Sequence, residues 1–351
     1  MSRSCSVRLN DQLISARRGA LLLDAALANG VEIPHDCRAG QCGTCRVRVI
    51  DGTYWGGECE EDGYVHACQC RVISDLSLEM EPALDVLETS GRIADIVRLA
   101  PDVVEVCVEA SHPIDFYRGQ YYSVRFAGFP ARSYSPTIAL DWPAEPGLVR
   151  FNIRQIDNGL VSSALGRTIE RGHRVTLTGP YGSAYFRPDH PGRIVLVAGG
   201  TGFAPIWAIA EAAIRERPER EMHIVVGTRS IEGLYMIPAL CRIALFPRVT
   251  IIPVVSEPQQ VTPSVKVGLP TDFLPALRHD DMVYVSGAPA MVTAVAALAR
   301  ASGARCHCDA FVPQQGSSPM RSVGSSIRSL LEGVQTSVRT AFASRPLRAE
   351  P

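Results

Sequence analysis

The sequence predicts a multidomain protein in which a small α+β unit, an antiparallel β-barrel and a doubly wound α/β sheet follow one another. Three observations predict it. Residues 1–85 set a cysteine loop, CRAGQCGTC, between a helix-like run and short strand-like stretches. Residues 90–190 read as strands with little helix, the pattern of a barrel. From 191 to 313 apolar strands alternate with helical runs, which implies a parallel sheet covered on both faces.

In the first of these, Ser6 to Asn10 alternates apolar and polar residues, Leu21 to Ala28 has helical spacing, and Arg46 to Ile50 and Arg71 to Glu79 read as strands. A small sheet wrapped on one helix is the natural result. Cys37, Cys42 and Cys45, with Cys68 or Cys70 behind them, have the C-x4-C-x2-C…C spacing by which a plant-type ferredoxin holds a 2Fe-2S cluster. Gly40 and Gly43 let the backbone turn tightly enough to aim N–H groups at sulfur. Structural zinc would call for a second short C-x2-4-C hook, which this stretch lacks. Eleven cysteines is an odd number and the N-terminus shows no secretory signal pattern, so disulfides are not expected. Cys68 and Cys70 point to one side of an extended segment, so spacing leaves both open. Acidic residues outnumber basic ones here, several of them in Glu58 to Asp62, either as a docking face or as a solvated loop.

Pro82 to Gly91 reads as a linker, and Val103 to Glu109, Tyr121 to Phe126, Val149 to Ile156 and Arg174 to Thr178 as barrel strands. Within them Arg132, Ser133, Tyr134 and Ser135 form a compact group, and Gly159 to Ser162 supply a glycine followed by a hydroxyl. An arginine fork suits phosphate, a tyrosine ring covers a flat heterocycle, and a hydroxyl bonds a ring nitrogen. The same residues are also ordinary strand components.

In the last domain Ile194 to Ala198, Met222 to Val226, Val249 to Val254 and Met282 to Ser286 are the strands, with helices at Pro205 to Arg215 and Ala290 to Ala301. The turns GGTGFAP (199–205) and SGAPAM (286–291) then fall on one edge of the sheet, where a dinucleotide cleft forms. The apolar run from Ile194 to Ile214 is long enough to resemble a membrane span, but its glycines, Pro205 and Glu211 argue for a strand, a turn and a helix. With 351 residues, 46 % hydrophobic content and a net charge of −1, the chain is expected to be globular, soluble and cytoplasmic, with no membrane and no nucleic-acid partner.

The ordered motifs CRAGQCGTC, GYVHACQC, RSYS, GLVS, TGPYGSAYF, AGGTGFAP and SGAPAM together resemble the iron-sulfur flavoprotein reductases that supply electrons to bacterial aromatic-ring dioxygenases, over roughly residues 5 to 313. The reductase components of naphthalene dioxygenase systems are the most similar type, with benzoate dioxygenase reductase near them. The resemblance implies a β-grasp ferredoxin domain (1–85), an FAD-binding barrel (90–190), an NAD(P)-binding domain (191–313) and an unexplained tail (314–351). It selects Cys68 as the fourth cluster ligand beside Cys37, Cys42 and Cys45. It also implies that Arg132 holds the FAD pyrophosphate, that Tyr134 packs along the flavin and that Ser135 faces its N5 edge. Ile153, Arg154, Gly159, Val161 and Ser162 complete that site. NADH or NADPH would lie across Gly200, Thr201, Gly202, Gly287, Ala288 and Met291. Ser286 replaces the cysteine relatives commonly carry beside the nicotinamide, and Phe311 stands where they place an aromatic residue over the flavin, or else is a core residue.

This implies an enzyme in which NAD(P)H reduces FAD and single electrons pass through the cluster to a separate ferredoxin or a Rieske-type oxygenase. The alternatives are a reductase for a diiron monooxygenase or a deoxysugar dehydratase, and a redox sensor without turnover. Thr228, Arg229 and Ser230 follow the second strand of the last domain, where an arginine suits NADPH, although relatives often use NADH. A monomer is expected. In the tail, Ile327, Leu331, Val334, Val338 and Phe342 recur at helical spacing, as an extension or a partner-binding helix.

Overall fold

The computed structural model describes residues 4–59, 63–81, 84–140, 147–257 and 262–311. All the described residues fall in one unit, Met1–Val312. The helical spacing from Ile327 to Phe342 lies outside the described residues, as do Glu60, Glu61 and Asp62 of the acidic group.

This unit holds three sheets. The first contains β1 (Ser4–Leu9), β2 (Gln12–Arg17), β3 (Arg46–Trp55), β4 (Tyr64–His66) and β5 (Arg71–Glu79), in the order β2-β1-β5-β3-β4. Strict alternation in β1 turns Cys5, Val7 and Leu9 inward, where α1 (Leu22–Ala28) supplies Leu22, Leu23 and Ala26. Each fully buried leucine of this kind contributes roughly 1.5–3 kcal/mol. β1 and β5 run parallel in the middle of the sheet while the other pairs are antiparallel, so one helix covers one face. The cysteine loop hangs at the end of this sheet, between α1 and β3.

The second sheet comprises β6 (Leu87–Ala100), β7 (Val103–Ala110), β8 (Tyr121–Phe126), β9 (Arg132–Tyr134), β10 (Pro136–Thr137), β11 (Leu148–Arg154) and β12 (Arg174–Tyr181). Its order is β10-β11-β7-β6-β12-β8-β9. The two edge strands, β9 and β10, are consecutive in the chain and separated only by Ser135, so the antiparallel sheet curls on itself into a half-barrel. The segment read as a linker is partly strand: Leu87 to Gly91 opens the 14-residue β6 and pairs with Gly179 to Val175 of β12. Its exposed outer positions broke the apolar alternation on which the sequence reading relied.

The third sheet has β13 (Ile194–Gly199), β14 (Met222–Thr228), β15 (Val249–Val255), β16 (Lys266–Val267), β17 (Met282–Gly287) and β18 (Arg305–Ala310), ordered β16-β15-β14-β13-β17-β18 and all parallel. Between them lie α2 (Phe203–Glu216), α3 (Ile237–Ile243) and α4 (Pro289–Ser302). The central strands are continuous apolar runs because α2 packs on one face and α4 on the other. The sequence reading missed α3, which is a single short helix, and β18, whose residues RCHCDA are too polar to read as a strand. The apolar run from Ile194 resolves into β13, a turn and α2, and among the described residues no helix is long and apolar enough to cross a membrane.

Candidate functional site

Cys37 is exposed, Cys42 half-buried, and Cys45 and Cys68 buried. The loop carrying them takes left-handed backbone at Arg38, Gly40 and Gly43. At Gly40 a Cβ would stand 2.9 Å from the Gln69 side chain, whose amide bonds the Arg38 carbonyl at 2.8 Å, so the two cysteine segments interlock there. Ala39 N–H points at the Cys37 sulfur at 3.3 Å. The Cys42 thiol and the backbone N–H groups of Ala39, Gln41 and Cys42 outweigh partial burial and hold the Cys37 thiol down to about 4. Cys42 moves the other way, pushed up by the same pairing with Cys37 and by burial, so of these two sulfurs Cys37 is the one that carries the negative charge. Among the described residues these groups do not close into a three-ligand metal group; they meet as two thiol pairs, Cys37 with Cys42 and Cys45 with Cys68. Cys70 belongs to neither pair, and burial, then Glu58, pushes its thiol up to about 12. The donor set and the inward N–H groups suit an iron-sulfur cluster.

On the half-barrel, β9 carries Arg132 and Tyr134 and the bend after it carries Ser135. Tyr134 lies 6.4 Å from Phe151, and burial raises its phenol to about 12. Ile153 is buried in the same wall, while Arg154, beside it on β11, leans out to pair with Asp102 at 2.9 Å. Gly159 is hemmed by the Ser162 hydroxyl, which a Cβ would approach to 2.5 Å, and that hydroxyl accepts the Ile156 N–H at 3.1 Å. Val161 is buried beneath this turn. A flat ring with a phosphate tail fits a wall made of an arginine, a tyrosine and a closely turned loop.

The two glycine turns meet as the sequence reading requires. A Cβ on Gly202 would stand 2.2 Å from the Ser286 carbonyl oxygen, and one on Gly287 2.9 Å from the Gly199 oxygen, so both must be glycine for β13 and β17 to approach. Met291 sulfur caps Gly199, Thr201 lies half-buried in the turn, and Ala288 is exposed at its rim. α2 begins directly at Gly202 with no side-chain cap, which leaves its first N–H groups to an anion such as a pyrophosphate. Arg154 rests over Gly200, its guanidinium 3.4 Å from where a Cβ would sit, and so ties the half-barrel to this turn.

Sequence reasoning missed the residue that joins the two halves. Asp309 on β18 accepts hydrogen bonds from Ser135 at 3.5 Å and from Ser286 at 3.3 Å, one hydroxyl from each side of the cleft. Burial, partly offset by these two hydroxyls, raises its carboxyl to about 6. No sequence signal marked it, because RCHCDA does not read as a strand and its acid looks like any solvated one. Phe311 follows, its N–H on the Gly287 carbonyl at 2.8 Å, and is half-buried rather than a core residue.

Residues 6–72 match the 2Fe-2S iron-sulfur cluster binding domain family, 91–186 the oxidoreductase FAD-binding domain and 196–297 the oxidoreductase NAD-binding domain. The chain is 30 % identical over 330 residues to the ferredoxin--NAD(P)+ reductase component of a Pseudomonas putida naphthalene 1,2-dioxygenase system, covering 88 % of this chain and 98 % of that one. It is 33 % identical to the electron transfer component of a P. putida xylene/toluene monooxygenase, over 82 % of this chain and 87 % of the relative. Among solved structures it is similar to an Amycolatopsis cytochrome P450 reductase, GcoB, with a TM-score of 0.66 and 28 % identity over 89 % of this chain and 100 % of that one.

Proposed function

The chain belongs to the ferredoxin--NAD(P)+ reductase components of aromatic-ring oxygenase systems, and on that premise we propose that it passes electrons from NAD(P)H to a separate ferredoxin or directly to a Rieske-type oxygenase. It is an NAD(P)H-dependent oxidoreductase with domains for a 2Fe-2S cluster, FAD and NAD. One observation carries the reading: the half-barrel touches both neighbours. Arg154 meets the dinucleotide turn at Gly200, and Gly182 meets the cysteine loop at Thr44. FAD is the group that accepts a hydride and releases electrons singly, so it belongs on the element in the middle.

In this reading Cys37, Cys42, Cys45 and Cys68 hold the cluster, Cys68 being supported over Cys70 by its pairing with Cys45. Arg132 holds the flavin pyrophosphate and Tyr134 lines the ring, with Ile153, Arg154, Gly159, Val161 and Ser162 shaping the pocket. Gly200, Thr201, Gly202, Gly287, Ala288 and Met291 hold the dinucleotide. The Ser135 and Ser286 hydroxyls both end on Asp309, which keeps a proton-bearing group between the flavin edge and the nicotinamide. Phe311 covers the cleft from β18. Cys37, the exposed thiol of the four, would present the bound cluster to an acceptor. The domains run 1–85, 90–190 and 191–313, with 314–351 as an extension, and the protein works as a monomer in the cytoplasm. NADH is the preferred donor, with the exposed Arg229 leaving room for NADPH.

A second acceptor class has specific support, since relatives include a monooxygenase component and a P450 reductase. The test is purification and reconstitution. The protein is expected to be yellow-brown, to release FAD on denaturation and to reduce cytochrome c with NADH. A colourless preparation after anaerobic reconstitution overturns the reading, and turnover with a Rieske oxygenase against a diiron or P450 oxygenase separates the acceptors.

A further inference from the structure

The cysteine loop is fastened to the half-barrel at both of its ends, at Asp36 and at Thr44. The Tyr121 phenol at the start of β8 donates to Asp36, the residue before Cys37, at 2.7 Å. Gly182, just past β12, donates its N–H to the Thr44 hydroxyl at 3.0 Å. That same hydroxyl interacts with the Cys42 thiol and with the Tyr121 phenol. The fit is close: a Cβ on Gly43 would stand 2.2 Å from Ser183 Oγ, and one on Gly182 3.1 Å from the Tyr121 ring. A cavity of only about 50 Å³ remains at the seam. Arg46 and Arg187 flank it on Glu81, at 3.8 Å and 2.8 Å.

Polar contacts between two domains are ordinary, and most fix orientation without touching the chemistry. These differ in where they end. Gly182 N–H, Thr44 Oγ and Cys42 Sγ form a short path from the flavin sheet to one of the four thiols, and Tyr121 reaches the residue beside another. A hydrogen bond to a thiolate stabilises its charge and so adjusts a cluster's potential. The loop's other hydrogen bonds stay within its own domain, to Asp24, Ala67 and Gln69, so Thr44 and Tyr121 are the hydrogen-bonding groups that fix it against the barrel.

We propose that Thr44 and Tyr121 are positioning residues for the transfer of electrons from the flavin sheet to the cysteine loop. They clamp the loop on the β8–β12 wall and set the charge environment of Cys42. Each hydride brings two electrons and releases its proton to solvent; the electrons cross this seam one at a time and reduce two one-electron acceptors. The proposal rests on the reading of the previous subsection.

The experiment compares Thr44→Val, Thr44→Ser and Tyr121→Phe holoenzymes with the parent. NADH-dependent reduction of ferricyanide reads transfer as far as flavin, and cytochrome c reads transfer through the cluster. Ferricyanide turnover is expected within about twofold of the parent, whereas cytochrome c turnover falls about tenfold in Thr44→Val and Tyr121→Phe, the scale on which a displacement of under an ångström acts. Thr44→Ser restores it. Two further measurements do not depend on turnover: the cluster midpoint potential falls in Thr44→Val but not in Thr44→Ser, because the lost hydroxyl no longer stabilises the negative charge on Cys42, and the Gly182 amide loses hydrogen-exchange protection in the same pattern. Unchanged cytochrome c turnover, an unchanged potential, or a parallel fall in both activities overturns the proposal. A parent protein that takes up no cluster or reduces no ferricyanide overturns the electron-transfer reading itself, a result distinguishable because it precedes any substitution.

Discussion

The thiol loop and the hydride cleft are built by opposite means. The loop draws its geometry from nine consecutive residues, Cys37 to Cys45, whose own glycines and N–H groups shape it, and it leaves Cys37 in solvent. The cleft is assembled from four strand ends, those of β9, β13, β17 and β18, and draws its polar groups inward: Ser135 and Ser286 are buried, and both turn their hydroxyls to the half-buried Asp309. A short loop suffices where the group to be held carries its own charge and several ligands. Moving a hydride requires water to be kept out, and only packed elements do that.

The largest effect should follow from the ligand that this contrast makes indispensable. Cys68→Ser is expected to abolish the visible absorbance of the cluster while Cys70→Ser retains it, because Cys45 pairs with Cys68 and Cys70 stands apart. The reverse outcome, read by absorbance and iron content, would exchange the two assignments and place the loop's support inside the core.

Next comes the packing of the cleft. Gly202→Ala forces a methyl group against the Ser286 carbonyl, 2.2 Å from its ideal position. Overpacking of this kind costs about 1–3 kcal/mol, so KM for NADH should rise about tenfold with FAD retained. An unchanged KM would mean that the two turns do not hold the dinucleotide together.

The smallest effect is the most diagnostic of burial. Asp309 has its carboxyl raised to about 6 from an ordinary 3.8, chiefly by burial. The folded state therefore holds this proton more tightly than the unfolded chain. Its contribution to stability is fully present below about 3.8 and is lost as pH rises through about 6. Asp309→Asn should flatten the pH dependence of thermal stability in that window, and remove any inflection near pH 6 in flavin reduction by NADH. A parent profile identical to that of the variant would show that the carboxyl is not masked from water.

Much of the cluster loop was legible because its chemistry is local: C-x4-C-x2-C and two glycines within nine residues suffice to state the ligand type. The turns at Gly199 and Ser286 were legible as glycine punctuation after apolar strands, and their meeting followed from parallel topology. β6 was not, since a strand held by its neighbours on both sides need not alternate, nor was β18, an edge strand whose polar residues are held by pairing with β17 alone. Asp309 was invisible for a related reason. Nothing in RCHCDA distinguishes a solvent acid from one that receives hydroxyls from residues 135 and 286.

The sequence by itself determined the inventory: thiolates at ferredoxin spacing, an arginine-tyrosine-serine group for a flavin, glycine turns for a pyrophosphate, and their order along the chain. Local chemistry and backbone freedom are properties of short segments, so short segments reveal them. Only the tertiary structure decided the junctions, namely Asp309 between two serines, Arg154 over Gly200, and Thr44 with Tyr121 against the half-barrel. Each joins residues at least 23 positions apart, and such pairs exist only once burial has brought the sheets together and obliged their polar groups to find partners.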